Sequence, residues 1–180
     1  MTIRALITGA TGDLGYAICM ELAKMGYHII IHTHQNPKKA ETLSKAIEAV
    51  GATWDIIQFD ITSDEQTDSA IHTLLKDGPI QVLINNAGVH QDVPMAGMEA
   101  QAWHRVMDVS LHGFYRVTQP LLLPMMQTRW GRIINISSIA ATTGNRGQVN
   151  YSAAKAGLQG ATKSLALEVA SRNINVFYFT

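Results

Sequence analysis

Six short runs in the 180-residue chain, residues 3–8, 28–33, 54–59, 81–85, 132–136 and 174–179, are strand candidates, and several are apolar nearly throughout. Runs this short, rich in Ile and Val and with little polar alternation, predict strands covered on both faces, and hence a parallel sheet. Longer stretches of helical period separate them. The first helix is expected over residues 16–25. Asn36 stands where it can cap the second, with Pro37 in its first turn and Gly51 after its end. Ser63 with Gln66 has the pattern of a capping box for the third, and Ile71, Leu74 and Leu75 give that helix one apolar face. A fourth helix is predicted to begin near Glu99 and a fifth to cover about residues 150–172. Strict strand–helix alternation with right-handed crossovers predicts an α/β fold, a doubly wound parallel sheet of six strands with helices on both faces. Its ligand site would lie beyond the carboxyl ends of the strands, where the strand order reverses. No repeat, linker or low-complexity segment interrupts the pattern, so residues 1–180 read as a single domain.

The candidate chemistry falls at those strand ends. Strand one runs into Thr8-Gly9-Ala10-Thr11-Gly12-Asp13-Leu14-Gly15 and then a helix. Glycines there let backbone N–H groups approach a pyrophosphate, and the helix N-terminus adds partial positive charge. An acid at the end of strand two would hold ribose hydroxyls. That region instead reads Thr33-His34-Gln35-Asn36-Pro37-Lys38-Lys39, with no acid between Glu21 and Glu41, which suits a 2′-phosphate and predicts NADP(H). Tyr151 and Lys155 stand at i and i+4 of the fifth helix, on one face. A free phenol, with a pKa of about 10, is a poor proton donor near neutrality. An ammonium about 4 Å away is worth about 4 kcal/mol at an effective dielectric of 20, enough to make it a usable one. Ser137 and Ser138 close strand five, 13 positions before Tyr151 in the case of Ser138. His32 and His34 alternate on one strand, and His104 and His112 share a helix face. No acid or Cys completes a zinc spacing with them, so they read as surface or packing residues and no metal is expected.

These motifs, with Asn85-Asn86-Ala87-Gly88 after strand four, resemble the short-chain dehydrogenase/reductase family over nearly the whole chain. The resemblance implies a Rossmann-like domain with a catalytic set of Ser138, Tyr151, Lys155 and Ser110. It implies a nicotinamide cofactor held by Gly9, Thr11, Gly12, Asp13, Leu14, Gly15, His34, Asp60, Ile61, Asn86, Ala87 and Gly88, with Tyr151 and Lys155 at the nicotinamide ribose. Asp60-Ile61 matches the adenine contact, and Ser138 the serine that binds the substrate carbonyl. Two positions depart from the family pattern. Asp13 stands where a glycine is usual; it either caps the helix or faces the pyrophosphate and weakens binding. Ser110 replaces an Asn that helps hold a proton-relaying water, which predicts a slower relay.

Residues 144–151, Gly-Asn-Arg-Gly-Gln-Val-Asn-Tyr, resemble β-ketoacyl-acyl-carrier-protein reductases, with Arg129 and Arg172 at positions matching basic residues that dock the acidic carrier. Another alcohol or sugar reductase, or a non-catalytic nucleotide-binding subunit, remains an alternative reading. The family packs its fourth and fifth helices across a subunit interface, and the small residues Ala153, Ala154, Ala156, Gly157 and Gly160 agree with a homo-oligomer. Relatives continue past strand six into a lid and a seventh strand. An end at Thr180 therefore predicts a chain incomplete at its C-terminus, with weak or no turnover.

Charge and cysteine content add exclusions. With 14 basic and 14 acidic residues and no run of one sign, nothing marks a nucleic-acid binder. The lone Cys19 cannot form an internal disulfide. No leader pattern and no membrane-length apolar stretch is seen, so the chain is expected to be cytoplasmic.

Overall fold

The apolar runs become strands of one sheet, and the central ones, β1, β2 and β4, are covered from both sides. A computed structural model describes residues 2–180. Its strands are β1 (Arg4–Ile7), β2 (His28–Thr33), β3 (Trp54–Gln58), β4 (Val82–Asn85), β5 (Gly131–Ile136) and β6 (Ile174–Phe179). They form one parallel sheet in the order β3-β2-β1-β4-β5-β6. The order reverses between β1 and β4, so the carboxyl ends of those two strands frame a crevice. All six lie within two residues of their expected bounds. The fold is the α/β, Rossmann-like arrangement.

The helices are α1 (Asp13–Lys24), α2 (Pro37–Ala49), α3 (Asp64–Leu75), α4 (Ala100–Met107), α5 (Gly113–Thr128), α6 (Ala140–Thr143) and α7 (Val149–Val169). Two cores result. One packs Cys19 and Ala23 of α1 and Leu43 and Ile47 of α2 on Ile7, Ile29, Ile31 and Ile84. The other packs Ile71, Val117, Leu121, Leu165 and Val169 from α3, α5 and α7 on Leu6, Ile30, Leu83 and Ile133. Fully burying such a side chain contributes about 1.5–3 kcal/mol, so the sheet is rigid where both faces are covered. Burial also drives the Cys19 thiol up to about 12, which leaves it unreactive.

Several local expectations change. Asn36 is the N-cap of α2 and Pro37 follows it, but the Asn36 side chain makes no capping bond. Ser63 accepts from the Gln66 amide as expected, whereas the Gln66 carboxamide accepts from Asp60 N–H at 2.9 Å instead of returning to Ser63. Only half of the capping box forms. Asp13 lies in the first turn of α1 and Gly12 is the N-cap, so Asp13 does not cap. The helix expected from Glu99 runs as α4, a π turn over Asp108–His112, and α5. The fifth expected helix is α7 with a closing 3-10 turn at Ala170–Arg172. On the α1 side, Leu14, Ile18, Ile84, Ile134, Ile136 and Phe179 line an open apolar groove of about 720 Å³ beside β5 and β6. Among the described residues no helix is long and apolar enough to cross a membrane.

Candidate active site

The turn after β1 is held from three directions. Asn86, just past β4, donates from its carboxamide to Thr8 O and Gly9 O, both at 3.0 Å. The Thr8 hydroxyl accepts from the N–H groups of Asn86 and Ala87, each at 3.0 Å. On the other side, Gly9 N–H donates to His32 Nδ1 at 3.0 Å, and Ala10 N–H donates to His32 O at 3.1 Å. Gly9 sits at φ +62°, a backbone region that favours glycine. A Cβ on Gly15 would come within 2.4 Å of Gly9 O, so the first turn of α1 packs directly on the loop. The amides of Asp13, Leu14 and Gly15 belong to that first turn and have no acceptor within the helix.

A cleft of about 420 Å³ opens above this turn. Gly9, Thr11, Gly12, Asp13, Leu14 and Gly15 form one wall. His34 and Asp60 form a rim, and Asn86, Ala87 and Gly88 line the far side with Ile61. The cofactor-binding residues expected from sequence therefore line one cleft, apart from Tyr151 and Lys155, which do not line it. His34 Nε2 and Asp60 Oδ2 are 3.5 Å apart. Burial raises the Asp60 carboxyl, but hydrogen bonds from Thr62 N–H and Oγ, and the charges of His34 and Arg105, outweigh it and hold it below the usual carboxylate value. Arg105 and Val109, at i and i+4 along the α4–π run, also line the cleft and were missed; their spacing was the available signal. His32 was missed too, having been assigned to packing.

Behind Gly88 stands Lys155. It is 3% exposed, and its Nζ donates to Ile136 O at 2.7 Å. Burial lowers its ammonium from 10.5 to about 8, which leaves it charged at neutrality. Lys155 Nζ lies 5.7 Å from the centre of the Tyr151 ring. A Cβ on Gly88 would lie 3.5 Å from that Nζ and 3.8 Å from Ser110 Oγ, so lysine, serine and glycine converge. Ser110 Oγ is buried on the π turn without a hydrogen-bond partner. Such turns recur where a helix re-aims a side chain at a site.

The scaffold beneath is a buried polar chain. Asn85 donates to Thr118 and Asn135 at 3.1 and 2.9 Å, and Asn135 donates to Thr162 at 2.8 Å. It ties α5 and α7 to β4 and β5. Asn150, fully buried, accepts from Tyr151 N–H at 2.8 Å and donates to Gln91 O and Ala102 O, which fixes the start of α7. The Ser138 and Tyr151 hydroxyls are less settled. Ser138 Oγ accepts from Ala140 N–H at 3.2 Å and faces the apolar groove with Phe179. No hydrogen bond links the Tyr151 hydroxyl to Ser138 or Lys155 among the described residues. The ammonium stands over the ring rather than on the hydroxyl. Arg129 and Arg172 lie at the opposite end of the sheet, just before β5 and β6, with Arg129 Nη2 donating to Ser171 O at 3.3 Å.

Comparison with known proteins settles the wider frame. A family profile described as short chain dehydrogenase matches residues 4–180. The chain belongs to the short chain dehydrogenase family. As such it is an oxidoreductase of a family that uses nicotinamide cofactors. This short chain dehydrogenase is 38% identical over 178 residues to a 3-oxoacyl-[acyl-carrier-protein] reductase FabG of Aggregatibacter actinomycetemcomitans, covering 98% of this chain and 74% of that protein. It is 42% identical over 175 residues to a protein of the same name from Aquifex aeolicus (strain VF5), covering 96% and 70%. It is 39% identical over 173 residues to Nodulation protein G of Azospirillum brasilense, covering 96% and 70%. The cleft fits such a cofactor on its own terms: the free first-turn amides of α1 offer an anion seat at the strand switch, and the missing Cβ at Gly15 lets that turn pack close on the loop.

Proposed function

We propose that this chain reduces a ketone with NADPH, and that its substrate is a β-ketoacyl thioester carried on acyl carrier protein. The observation that carries the reading is the buried Lys155 ammonium, one helical turn from Tyr151 and against the cleft wall at Gly88. A nicotinamide held in the cleft would supply a hydride for the carbonyl carbon. Tyr151 gives its proton to the carbonyl oxygen as the alcohol forms, and Ser138 donates a hydrogen bond to that oxygen. Lys155 stabilises the phenolate left behind and binds ribose hydroxyls. Ser110, with its unpartnered hydroxyl, supports a water through which the phenolate is reprotonated. Gly9, Thr11, Gly12, Leu14 and Gly15 seat the pyrophosphate, and Asp60, Ile61, Asn86 and Ala87 the adenosine half. His34 meets the 2′-phosphate. The absence of any acid from residue 22 to 40 supports NADPH over NADH. Asp13 lines the same cleft and works against the pyrophosphate charge.

Carrier docking on Arg129 and Arg172 has a geometric consequence. The six residues of β5 span roughly 20 Å, so a carrier bound at the amino ends must reach the carboxyl ends on a long arm or serve a second copy. The exposed Tyr115 of α5 and Leu167 of α7 support a homo-oligomer through those helices. The Tyr151 hydroxyl, bonded to neither Ser138 nor Lys155 among the described residues, favours a second reading, a nucleotide-binding subunit without turnover.

The test follows NADPH oxidation by the pure 180-residue chain at 340 nm, with an acetoacetyl thioester on carrier protein and on a short thiol, and with free ketones. Oxidation that is fastest with the carrier-bound thioester, and that slows with salt, is expected. Equal rates with free ketones would overturn the substrate assignment, and nucleotide binding without oxidation would establish the second reading.

A further inference from the structure

The imidazole of His32 is used at both edges. Its Nδ1 accepts from Gly9 N–H at 3.0 Å, and its Nε2 lies 3.1 Å from Phe59 O. An acceptor at Nδ1 and a carbonyl at Nε2 require one tautomer, neutral with the proton on Nε2. The ring is 2% exposed and packs tilted against Phe59, at 4.1 Å between centroids. Burial is the main cause that lowers its pKa from 6.5 to about 4, partly opposed by the Phe59 carbonyl, so it stays neutral. The backbone of the same residue accepts from Ala10 N–H at 3.1 Å. One residue therefore fixes two consecutive amides of the loop between β1 and α1. Asn86 fixes the carbonyls of Thr8 and Gly9 from the opposite side.

The consequence is selective. With the Gly9, Ala10 and Gly12 amides consumed, the donors left to meet an anion are those of Thr11 and of the first turn of α1. We propose that His32 is a positioning residue for the dinucleotide: its neutral ring locks the Gly9–Gly12 turn so that the N-terminus of α1 faces the pyrophosphate. This rests on the nicotinamide-nucleotide reading above. His32 touches the pyrophosphate in no step; it acts through Gly9.

Two substitutions and three ligands test it. His32→Leu fills similar space with neither acceptor nor donor, and His32→Gln retains both. Affinities are measured directly by calorimetry for NADPH, ADP-ribose and adenosine 2′-monophosphate. The expected result is a loss of about 20-fold for NADPH and ADP-ribose in His32→Leu, with most of it recovered in His32→Gln. Adenosine 2′-monophosphate, which has no pyrophosphate, should bind all three proteins within about twofold. Equal losses for all three ligands would mean a loosened fold rather than a positioned turn, and unchanged NADPH affinity in His32→Leu would overturn the proposal outright. If His32→Leu does not fold, imidazole ¹⁵N spectra of the wild type decide: a lone Nε2 proton is expected from pH 5.5 to 8, and a proton on Nδ1 contradicts the lock. Failure of the wild type to bind NADPH would instead defeat the nucleotide reading itself.

Discussion

The loop after β1 and the segment from Ser138 to Lys155 share the carboxyl end of one sheet, yet they are finished to different degrees. In the loop, Gly9 N–H, Gly9 O, Thr8 O, Thr8 Oγ and Ala10 N–H all have partners within the chain. Around the Ser138–Lys155 segment, Ser110 Oγ, which faces it from the π turn, is buried without one, Ser138 Oγ accepts from the first amide of α6, and Lys155 carries a charge that burial disfavours. A seat for a ligand that always presents the same pyrophosphate can be built in advance. A proton-transfer group must keep unspent hydrogen-bonding capacity for the reacting atoms, so part of its geometry waits for substrate and cofactor. The difference teaches that binding and chemistry should be separable here by mutation.

The sharpest way to break the contrast is at the preformed side. Gly15→Ala drives a Cβ to 2.4 Å from Gly9 O, against backbone that cannot give. It should cost about 1–3 kcal/mol of stability and weaken NADPH by about 100-fold or more. Urea unfolding and calorimetry read both, and retained affinity would show that the loop is softer than its hydrogen bonds suggest.

Acid probes the same lock through His32. The unfolded chain takes up a proton near 6.5, whereas the folded ring resists it down to about 4. Its contribution to stability is complete above pH 6.5, declines as pH falls, and is gone below about 4. The full change is about 3 kcal/mol. Urea unfolding of wild type and His32→Leu at pH 7.5, 5.5 and 4.5 isolates it, since the variant should lack that part of the acid sensitivity. Parallel curves would count against a buried neutral ring.

Base probes the catalytic side. Lys155 loses its proton near 8 rather than 10.5. Its depressed value also means that the charge costs stability below about 8, a cost absent above 10.5. Turnover at saturating NADPH should fall about tenfold per pH unit above that value, while NADPH affinity changes much less. A plateau to pH 10 would remove the lysine from the proton-transfer step.

The smallest effect should come from Ser110. Replacing it by Asn adds a second polar atom beside the lone hydroxyl and should raise turnover by about threefold with substrate KM unchanged. Stopped-flow traces in light and heavy water would read the relay, and an unaltered rate would exclude Ser110 from it.

How much of this was legible in sequence divides along the same line. Ile29–Ile31 and Leu83–Ile84 declare buried strands by composition alone, and Asn86 and Gly15 announce the loop by spacing. His32 does not declare itself, because its two partners, Gly9 and Phe59, are remote in sequence and meet only through the β3-β2-β1 order. Asp60 reaches His34 by the same route, so the strand-two region lacks an acid in sequence but has one beside it in space. The π turn at Asp108–His112 is invisible to a 3.6-residue period, and it decides where Ser110 points. The Lys155–Tyr151 spacing was legible; that the ammonium would stand 5.7 Å from the ring centre and bond Ile136 O was not, since β5 supplies that carbonyl.

The most direct measurement pairs two readings on Tyr151→Phe: NADPH affinity by calorimetry and single-turnover NADPH oxidation at pH 7 with saturating acetoacetyl thioester. The account predicts an affinity within about twofold of wild type and a rate at least about 1,000-fold lower. A variant that still oxidises NADPH at the wild-type rate, or one that loses affinity and rate together, would contradict it.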